Sequence, residues 1–552
     1  MPPAGSAQRD GTQGKGIVVA PQPVAASVGA STLAEGGNAL DAAIATAFVQ
    51  GVVDPFNGGI GGFGCMLVHD ARSSRTTAVS YHGRAGSKAR PDVFAGDVIG
   101  QIHGHAERYE VKGAVNQIGY RSPVVPGVLA GFDEAHRAFG RLPWKILLEP
   151  AIRLARDGIP LPGEVYAHWT DLTEPGHKSG LERIHATPAC AAIFAPGGNV
   201  LKPGELLRQP DYAATLAQIA EAGADDFYRG DIARTIADDF SRNHALFGSE
   251  DLASYRADVA DPVGGSYRGL RIESSPLPAS GIQLLELLNI LEHFDLAALR
   301  RDDEAAYVHR VSRAMLATFA DRARFLGDPR FVDVPVARLL GKAHARDLAE
   351  IVEGEREISV ESLEYAESRH TTHVCTMDGE GNAVSLTHTL GSASGVVTPG
   401  LGFVYNNCMY QFHPFPGHPN SVAPGKSRLT GAAPTLVFRA ATPWMALGAL
   451  GGTRMPTAIV NTFCNIVEHA MCPTEAVDAP RFHAEGAWLE MESRLYWRLR
   501  EDLESRGWRL RPSPKGYDRA FALVFVAMRE ANGAFNGGSD PRGGGGLAIA
   551  RT

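Results

Sequence analysis

The sequence predicts an α+β fold in which β-strands are sandwiched between helices. Apolar residues recur at helical spacing through most of the first 330 residues, and short strand-like runs dominate after residue 370. The hydrophobic fraction of 44% is typical of a folded globular chain. Because helices and sheets must both bury an apolar face, a chain of this pattern packs helices against strands.

The charge balance argues against several classes of partner. The 552 residues contain 53 Lys and Arg against 61 Asp and Glu, a net charge of −8, whereas nucleic acids and anionic membranes require a basic face. No window of about 20 apolar residues predicts a membrane span. Residues 1–15 are small and polar without a signal-peptide core, so we expect a flexible tail and a cytoplasmic protein. The six scattered cysteines indicate reduced, mostly buried thiols.

The part before residue 330 is predicted to be mainly helical. A short strand at 17–20 ends at Pro21, and a glycine loop at 58–64 leads into a strand at 65–69. Glycines interrupt the first helix at 36–37, and a Gly–Pro segment interrupts the second. The ranges expected to be helical or helix-rich are 25–53, 127–160, 211–260, 284–294 and 303–326.

The pattern changes near residue 370. Residues 341–367 are charged and are predicted to form an exposed helix or loop. Residues 378–382 read DGEGN, a strong hairpin signal between two apolar runs. Strands are expected at 372–376, 383–390, 403–405, 435–438, 444–447 and 520–527, and a helix at 458–470.

Residues 59–64 read GIGGFG and match the glycine pattern of dinucleotide-binding loops. Such a loop follows a strand, opens a helix and is followed by an acidic residue about 20 positions later. Here a helix precedes the loop, a strand follows it, and no strand-end acid occurs near residue 84. We therefore interpret the segment as a tight turn where backbones approach closely.

Metal and serine-nucleophile sites have little support. The pairs His103/His105 and His370/His373 have no carboxylate or cysteine at ligand spacing. Three steps along a strand would also direct His370 and His373 to opposite faces. The segment GSASG has Ala393 where a serine hydrolase needs its nucleophile. The sequence predicts neither a metal nor an organic cofactor.

Thr371 opens the strand-rich part within the segment HTTH, and a series of short motifs accompanies it. The motifs before it are GGNALDAA (36–43), GGIGG (58–62), VPGVLAG (125–131), FGRLPW (139–144), PAIRLA (150–155), FYRG (227–230) and DLASY (251–255). Those after it are THTL (387–390), NN (406–407), LTGAAPT (429–435), LGGTR (450–454), APRFH (479–483) and GSDPR (538–542). In this order, over almost the whole chain, they resemble the γ-glutamyltranspeptidase family of N-terminal-nucleophile (Ntn) hydrolases.

The resemblance implies a four-layer αββα sandwich and a precursor that cuts itself before a threonine. The matching bond lies between His370 and Thr371. Cleavage would give a large subunit, 1–370, and a small subunit, 371–552, which we expect to stay associated because neither buries its sheet faces alone.

The resemblance also implies a catalytic assignment. A threonine hydroxyl is a poor nucleophile, and freeing the α-amine of Thr371 supplies a base on the same residue, with an ordinary pKa of about 7.7–8.0. Thr389 would hydrogen-bond the Thr371 hydroxyl. Gly451 and Gly452 would present backbone N–H groups to the oxyanion.

Substrate recognition departs from the family pattern. His82 stands where the family has the arginine that binds the α-carboxylate, and Arg84 follows two residues later. The resemblance places Asn407 among the substrate-binding residues, and the stretch after it has Gln411 in place of the acid that binds the α-amino group. The paired serines before the Pro–Thr dipeptide become Thr430 and Gly431. Arg84, Arg428 or Arg454 could serve an acyl carboxylate.

We therefore predict an amide hydrolase or acyltransferase whose acyl group differs from γ-glutamyl. The lost charge-assisted contacts are each worth roughly 1.5–3 kcal/mol. The alternatives are γ-glutamyl transfer or hydrolysis on glutathione, a small-acyl amidase such as an oxamate amidohydrolase, and an uncut, non-catalytic scaffold. The expected partner is a small-molecule amide, with a homo-oligomer possible.

Overall fold

The computed structural model describes residues 11–101, 109–170, 176–360 and 370–551. Two large antiparallel sheets form its centre. Strands are numbered along the chain, and the seven-stranded sheet contains, in spatial order, β20 (Gly546–Ala550), β1 (Gly16–Ala20), β11 (Thr372–Asp378), β12 (Ala383–Thr389), β2 (Phe63–Asp70), β3 (Arg75–Tyr81) and β8 (Asp258–Ala260). The six-stranded sheet contains β19 (Phe535–Ser539), β18 (Leu523–Arg529), β14 (Thr442–Leu450), β13 (Thr435–Arg439), β10 (Leu270–Ser274) and β9 (Val263–Tyr267).

Three smaller sheets lie outside this pair. They are built from β15 (Phe482–Ala484), β16 (Leu489–Met491) and β17 (Leu510–Pro512), from β4 (Val98–Gln101) and β5 (Tyr109–Val111), and from β6 (Ile159–Pro160) and β7 (Leu206–Leu207). Short 3-10 helices occur at Ala95–Asp97, Lys112–Ala114, Pro196–Gly198, Cys408–Gln411, Gly452–Arg454, Arg519–Phe521 and Pro541–Gly543.

The α-helices cover the outer faces of the two large sheets. Those before residue 260 are α1 (Pro23–Ala34), α2 (Ala39–Val53), α3 (Val128–Phe139), α4 (Trp144–Asp157), α5 (Gly163–Thr170), α6 (Gly180–Ile184), α7 (Pro188–Phe194), α8 (Pro210–Ala222), α9 (Asp225–Arg229), α10 (Asp231–Arg242) and α11 (Ser249–Ser254). The later ones are α12 (Gly281–Leu291), α13 (Leu296–Asp302), α14 (Glu304–Phe325), α15 (Val336–Leu339), α16 (Lys342–Glu353), α17 (Met455–Val467), α18 (Pro473–Asp478) and α19 (Ser493–Ser505).

The alternation of side chains along the strands separates the apolar layers. In β1, Ile17 and Val19 face the space between the sheets, whereas Val18 and Ala20 pack under the helices of the first half. In β13, Phe438 lies between the sheets and Val437 joins the core under α12, α14 and α17. Because neighbouring residues of a strand point to opposite faces, each sheet has two buried sides. This is the four-layer αββα sandwich that the resemblance implies.

Both large sheets draw strands from each side of the 370–371 bond. Strand β11 pairs with β1 on one edge and β12 on the other, and β12 pairs with β2. In the second sheet, β13 pairs with β10. The two parts of the chain therefore share a single pair of sheets.

Several expectations need correction. Residues 403–405 form isolated bridges, Val404 to Val397 and Tyr405 to Gly61, rather than a strand. The backbone of Thr12 exchanges two hydrogen bonds with Phe535, so the expected flexible tail does not extend through 11–15, and its residues 1–10 lie outside the described part. The charged region contains a regular helix, α16, while 361–369 are likewise outside the described residues.

The interruptions expected in the helical half are confirmed. Asn38 caps α2 through hydrogen bonds to the N–H groups of Leu40 and Asp41, which separates that helix from α1. The glycine loop runs from a helix into a strand, as its interpretation as a turn requires. No helix in the described ranges has the length and apolarity needed to cross a membrane.

Candidate active site

The hairpin of β11 and β12 brings Thr371 opposite Thr389. The Asp378 carboxylate accepts hydrogen bonds from the N–H groups of Glu380 and Asn382, which fixes the turn. The last Cα pair at the open end is Thr372 with His388. One step further along the same register, Thr371 therefore faces Thr389, although 18 residues separate them.

Three oxygen atoms converge at this end of the hairpin. The Thr371 and Thr389 hydroxyl oxygens are 3.1 Å apart, and the His370 carbonyl oxygen lies 2.5 Å from the first and 2.8 Å from the second. The Gly391 N–H donates to the Thr389 hydroxyl oxygen at 2.9 Å, which directs the Thr389 proton toward the carbonyl. The chain is continuous through His370 and Thr371, so this is the geometry of the uncut polypeptide.

The His370 ring is held by residues of the first half. Its Nδ1 lies 3.1 Å from the Asn57 Oδ1, and the Asn57 amide group donates to Asp54 at 2.8 Å and to His168 at 3.0 Å. Burial raises the pKa of Asp54 above its ordinary value, although the hydrogen bonds from Asn57 and Gln22 oppose that shift. Asn57 lies in the loop before β2 and contacts the His370 ring. This hydrogen-bond network therefore fixes the position of His370, on the carbonyl side of the 370–371 bond.

A cavity of about 20 Å³ adjoins the two threonines. It is small, since one water needs roughly 10–15 Å³ in this measure. Of the residues that the sequence assigns to catalysis or substrate binding, His82, Thr371, Thr389, Gln411, Thr430 and Gly452 line it, together with His370 and Arg428. No aspartate or glutamate occurs in the lining that the described residues provide.

His82 is neutral in this cavity. Its Nδ1 lies 2.8 Å from the Ser80 hydroxyl and its Nε2 lies 3.1 Å from the Thr430 hydroxyl. Burial, followed by the charge of Arg428, lowers its pKa to about 3. An imidazole of this kind offers directed hydrogen bonds without a charge.

Arg428 provides the positive charge in the lining. Its side chain is buried, donates to the Leu429 carbonyl at 2.9 Å and lies 5.8 Å from the Phe63 ring. The other two arginine candidates lie elsewhere. Arg84 forms a two-pronged ion pair with Asp258, at 2.8 and 2.9 Å, and Arg454 pairs with Glu490.

Gln411 lines the same cavity from the 3-10 helix at Cys408–Gln411. Its Oε1 is buried and has no hydrogen-bond partner among the residues that the structure describes. A neutral amide therefore occupies the position where the family resemblance led us to expect an acid.

Asn407 supports the site from behind. It accepts from the Ser392 N–H at 2.8 Å and donates to the Gln117 carbonyl at 3.0 Å, so it fixes the loop after β12 rather than lining the cavity.

The glycine pair follows β14 directly. Gly451 has φ = 130°, and a Cβ at this position would come within 2.6 Å of the Ala522 Cα. A side chain at Gly431 would meet the Gly452 carbonyl oxygen at 2.0 Å. Gly451 and Gly431 do not line the cavity, but both allow close approach of the backbone that carries Gly452.

A second cavity of about 200 Å³ also touches Thr371. Most of its lining comes from residues 21–168, among them Gln22, Asp54, Asn57, Glu164 and His168, and four lining residues lie after residue 370, namely Thr371, Leu450, Arg519 and Gly543. The sequence analysis missed this set. The Asp-Pro-x-Asn segment before the glycine loop, which contains Asp54 and Asn57, is the signal that could have pointed to it.

His370 and His373 lie in different surroundings. His373 is buried between the sheets, with its Nδ1 2.9 Å from the Thr387 hydroxyl, whereas His370 faces Asn57. His103 and His105 lie outside the described part of the chain.

Comparison with protein families identifies a match over most of the chain. The model described as Gamma-glutamyltranspeptidase matches residues 25–550. Among curated proteins, the Acylase ACY 1 proenzyme of Pseudomonas sp. (strain V22) is 37% identical over 524 residues, which cover 94% of this chain and 91% of that protein. The Glutathione hydrolase proenzyme of Escherichia coli (strain K12) is 33% identical over 554 residues, covering 96% and 90%.

Solved structures of an acylase and of a γ-glutamyltranspeptidase also superimpose on this chain. Cephalosporin acylase from Bacillus halodurans superimposes with a TM-score of 0.85 at 28% identity and covers 99% of this chain and 98% of its own. The γ-glutamyltranspeptidase of Helicobacter pylori superimposes with a TM-score of 0.54 at 31% identity, over 63% of this chain and 93% of that chain.

Proposed function

Because the chain belongs to the γ-glutamyltranspeptidase family of enzymes, we propose that it cuts itself between His370 and Thr371 and then hydrolyses or transfers an acyl group through Thr371. The observation that carries the proposal is the convergence of the Thr371 and Thr389 hydroxyls on the His370 carbonyl, at 2.5 and 2.8 Å. Both hydroxyls are within hydrogen-bonding distance of the carbonyl group that the reaction must attack.

Self-cleavage begins when the Thr371 hydroxyl oxygen attacks the His370 carbonyl carbon. The Thr389 hydroxyl donates to the carbonyl oxygen as its negative charge develops. The C–N bond then breaks, the Thr371 nitrogen takes up the hydroxyl proton, and His370 remains attached as an ester. Water hydrolyses this ester, leaving a carboxylate on His370 and a free α-amine on Thr371.

The same atoms then act on a substrate amide. The α-amine of Thr371 accepts the proton of its own hydroxyl, and the alkoxide attacks the amide carbonyl. Backbone N–H groups of Gly451 and Gly452 stabilise the oxyanion, a contribution of several kcal/mol in such sites. The leaving amine departs with a proton, and water or a second amine releases the acyl group from Thr371.

The chemistry of the cavity supports an acyl group that carries a carboxylate and lacks an α-ammonium. Arg428 offers a buried positive charge, and Gln411 and His82 are neutral. An ammonium group would have no carboxylate partner among the described lining residues, and it would lie near the Arg428 charge. Because His370 also lines the cavity, its departure after cleavage would enlarge the space for the acyl chain.

The names of the relatives support both an acylase and a glutathione hydrolase, which keeps γ-glutamyl transfer as the second candidate. A small-acyl amidase such as an oxamate amidohydrolase fits the same charge pattern, because an oxalyl group also carries a carboxylate and no ammonium. An uncut scaffold is the least favoured, since both threonines and the glycine pair are present.

A denaturing gel of the purified protein tests self-cleavage. We expect the 58.8 kDa chain to give fragments of roughly 40 and 19 kDa, in proportion to the residues before and after the cut. Thr371→Ala should stay whole and inactive, while Thr371→Ser, which keeps a hydroxyl, should cut more slowly. Cleavage of Thr371→Ala at the same bond would contradict the assignment.

Two matched substrates test the acyl group. Glutaryl-p-nitroanilide and γ-glutamyl-p-nitroanilide differ only in the α-amino group, and we expect a higher kcat/KM for the glutaryl compound. Arg428→Met should lower kcat/KM for the glutaryl compound by roughly tenfold to a hundredfold, because one charge-assisted contact is lost. The same variant should leave kcat/KM for butyryl-p-nitroanilide, which has no carboxylate, unchanged. Gln411→Asp should shift the preference toward γ-glutamyl. A wild-type preference for γ-glutamyl would overturn the proposed acyl class and leave the mechanism standing.

A further inference from the structure

Three helices on the outer side of the six-stranded sheet bring an acid, an acid and a histidine together. Glu286 lies on α12, Asp321 on α14 and His344 on α16. One ligand atom from each residue lies within 4.8 Å of those from the other two. None of these residues lines either cavity at Thr371.

The cluster leaves one carboxylate oxygen unsatisfied. The His344 Nε2 lies 2.6 Å from the Asp321 Oδ2 and 3.4 Å from the Glu286 Oε1. Glu286 is only 1% exposed, and within the described part of the chain its Oε1 has no hydrogen-bond partner. An imidazole nitrogen carries a single proton, so it cannot serve both carboxylates. A buried acceptor without a partner costs about 1–3 kcal/mol.

From this geometry we propose that Glu286, Asp321 and His344 bind a divalent transition-metal ion, with Zn²⁺ the best match. One cation at their centre would contact all three ligand atoms at once. Zn²⁺ binds nitrogen and oxygen ligands at about 2.0–2.2 Å, which spaces the ligands of a tetrahedral shell about 3.4 Å apart. The His344 Nε2 is already 3.4 Å from the Glu286 Oε1. Its distance of 2.6 Å from the Asp321 Oδ2 would have to increase slightly when the ion binds.

The donor set favours this class of ion. Mg²⁺ and Ca²⁺ prefer shells made of oxygen, whereas an imidazole suits zinc and its neighbours in the first transition row. The His344 and Asp321 side chains are 12% and 14% exposed, so the cluster opens toward solvent on their side, where an ion could enter and water could complete its shell.

The ion would connect helices that lie behind the cavity at Thr371 and Thr389. Arg322, the residue after Asp321, donates to the Ser280 hydroxyl at 2.6 Å, just before α12 begins. The Ser280 hydroxyl donates to the Thr430 carbonyl at 2.6 Å, and Thr430 lines the cavity. We therefore assign the ion a structural role in fixing α12 and α14, outside the reacting groups.

Metal binding can be measured on the tag-free full chain after treatment with EDTA. Equilibrium dialysis against Zn²⁺ should give one equivalent per chain, and Zn²⁺ should raise the Tm. Co²⁺ should give visible absorption bands of a low-symmetry site. Glu286→Gln and His344→Gln should each weaken Zn²⁺ binding at least about tenfold and remove the Tm increase.

The control is His293→Gln, which changes an exposed histidine outside the cluster and should bind Zn²⁺ like the wild type. Asp321→Asn, at a half-buried position, repeats the test if either of the other variants fails to fold. Equal Zn²⁺ binding by the wild type and the cluster variants, or no Zn²⁺ binding by the wild type, would overturn the proposal. Either result would leave the proposed threonine chemistry unaffected.

Discussion

At the scale of single residues, the Thr389 hydroxyl contacts the His370 carbonyl oxygen as well as the Thr371 hydroxyl oxygen. Its hydroxyl accepts from Gly391 N–H and donates to the His370 carbonyl oxygen, so its one proton is already directed. This is the position of an oxyanion donor for self-cleavage. The role that family resemblance gives this residue, a hydrogen bond to the Thr371 hydroxyl, is compatible with the 3.1 Å separation of the two oxygens.

Thr389→Val should therefore slow self-cleavage strongly. The substitution keeps the shape of the side chain and removes the donor, and loss of one such donor costs about 100-fold to 1,000-fold in related sites. The rate is measured from the fraction of uncut chain over time on a denaturing gel. Thr389→Ser, which keeps the hydroxyl, should cut at a rate close to that of the wild type. Equal rates for the valine variant and the wild type would exclude the donor role.

Asn57 should affect cleavage but have little effect on turnover. Its amide links the His370 ring to Asp54 and His168, and under the proposed cleavage His370 would be released from Thr371. Asn57→Ala should slow self-cleavage by roughly tenfold, the value of one hydrogen bond of about 1–1.5 kcal/mol.

The test for Asn57 separates two readouts, the cleavage rate of the precursor and the kcat of protein that has been cut to completion. Asn243→Ala, on an exposed helix end of the same half, serves as the control. An equal loss in both readouts would indicate a general structural role for Asn57 and count against the positioning role.

At the scale of elements, the sequence predicted the hairpin between Thr371 and Thr389 because the information for a hairpin is local. The DGEGN turn and the two apolar runs fix the register, and the register brings Thr371 opposite Thr389. The cores of α2 and α12 were predictable for the same reason, from the helical spacing of their apolar residues. The short β20 was missed because its partner, β1, lies at the other end of the chain. The hairpin of β9 and β10 was missed because Gly264 and Gly265 weaken the strand pattern of β9.

Sequence patterns could not predict clusters of residues that lie far apart in the chain. Glu286, Asp321 and His344 are on three helices and share no spacing motif, so only tertiary packing brings them together. The sequence named Arg428 as one of three equal arginine candidates, and burial next to Thr371 is what distinguishes it. The expected strand at 403–405 forms two bridges, because Tyr405 and Val404 pair with different segments.

The end of β14 provides a test at this scale. Gly451→Ala would meet both an unfavourable φ of 130° and the Ala522 backbone at 2.6 Å, so the turn that carries Gly452 must shift. We expect kcat to fall and the free energy of unfolding to drop by about 1–3 kcal/mol.

Gly533→Ala is the matched control for Gly451→Ala. Gly533 has a positive φ of 81° with nothing within 4 Å of the added Cβ, so its substitution measures backbone strain without a clash. Chemical denaturation and steady-state kinetics of the two variants compare the effects. Normal kcat in Gly451→Ala would contradict the role of this turn in the oxyanion site.

At the scale of the whole molecule, the sheets should hold the cut chain together. Strands β1 and β2 lie on one side of the cleavage bond and their partners β11 and β12 on the other. We expect both fragments to co-elute in size-exclusion chromatography under native conditions and to separate only in denaturant. Separation of the fragments without denaturant would contradict the shared sheets.

Buried neutral histidines should make the fold sensitive to acid. Burial lowers the pKa of His82, His373 and His388 to about 3 each. The unfolded chain takes up protons at these residues below a pKa of about 6.5, so stability decreases as the pH falls from 6.5 toward 3. At pH 5 each histidine costs up to about 2 kcal/mol.

Urea denaturation at pH 7 and pH 5 measures this effect. His388→Asn, which cannot take up the proton, should lose less stability between the two pH values than the wild type. His293→Asn, at an exposed position, should follow the wild type. Identical losses in His388→Asn and the wild type would show that His388 does not contribute to the acid sensitivity.

The central claim is that Thr371 becomes a chain terminus whose own amine activates its own hydroxyl. Tandem mass spectrometry of catalytically active protein, stopped during turnover of an amide substrate, tests this most directly. The account predicts a small fragment that begins with Thr371, carries a free α-amine and bears the acyl group on the Thr371 oxygen. Active protein in which the bond between His370 and Thr371 is still an intact peptide would contradict it.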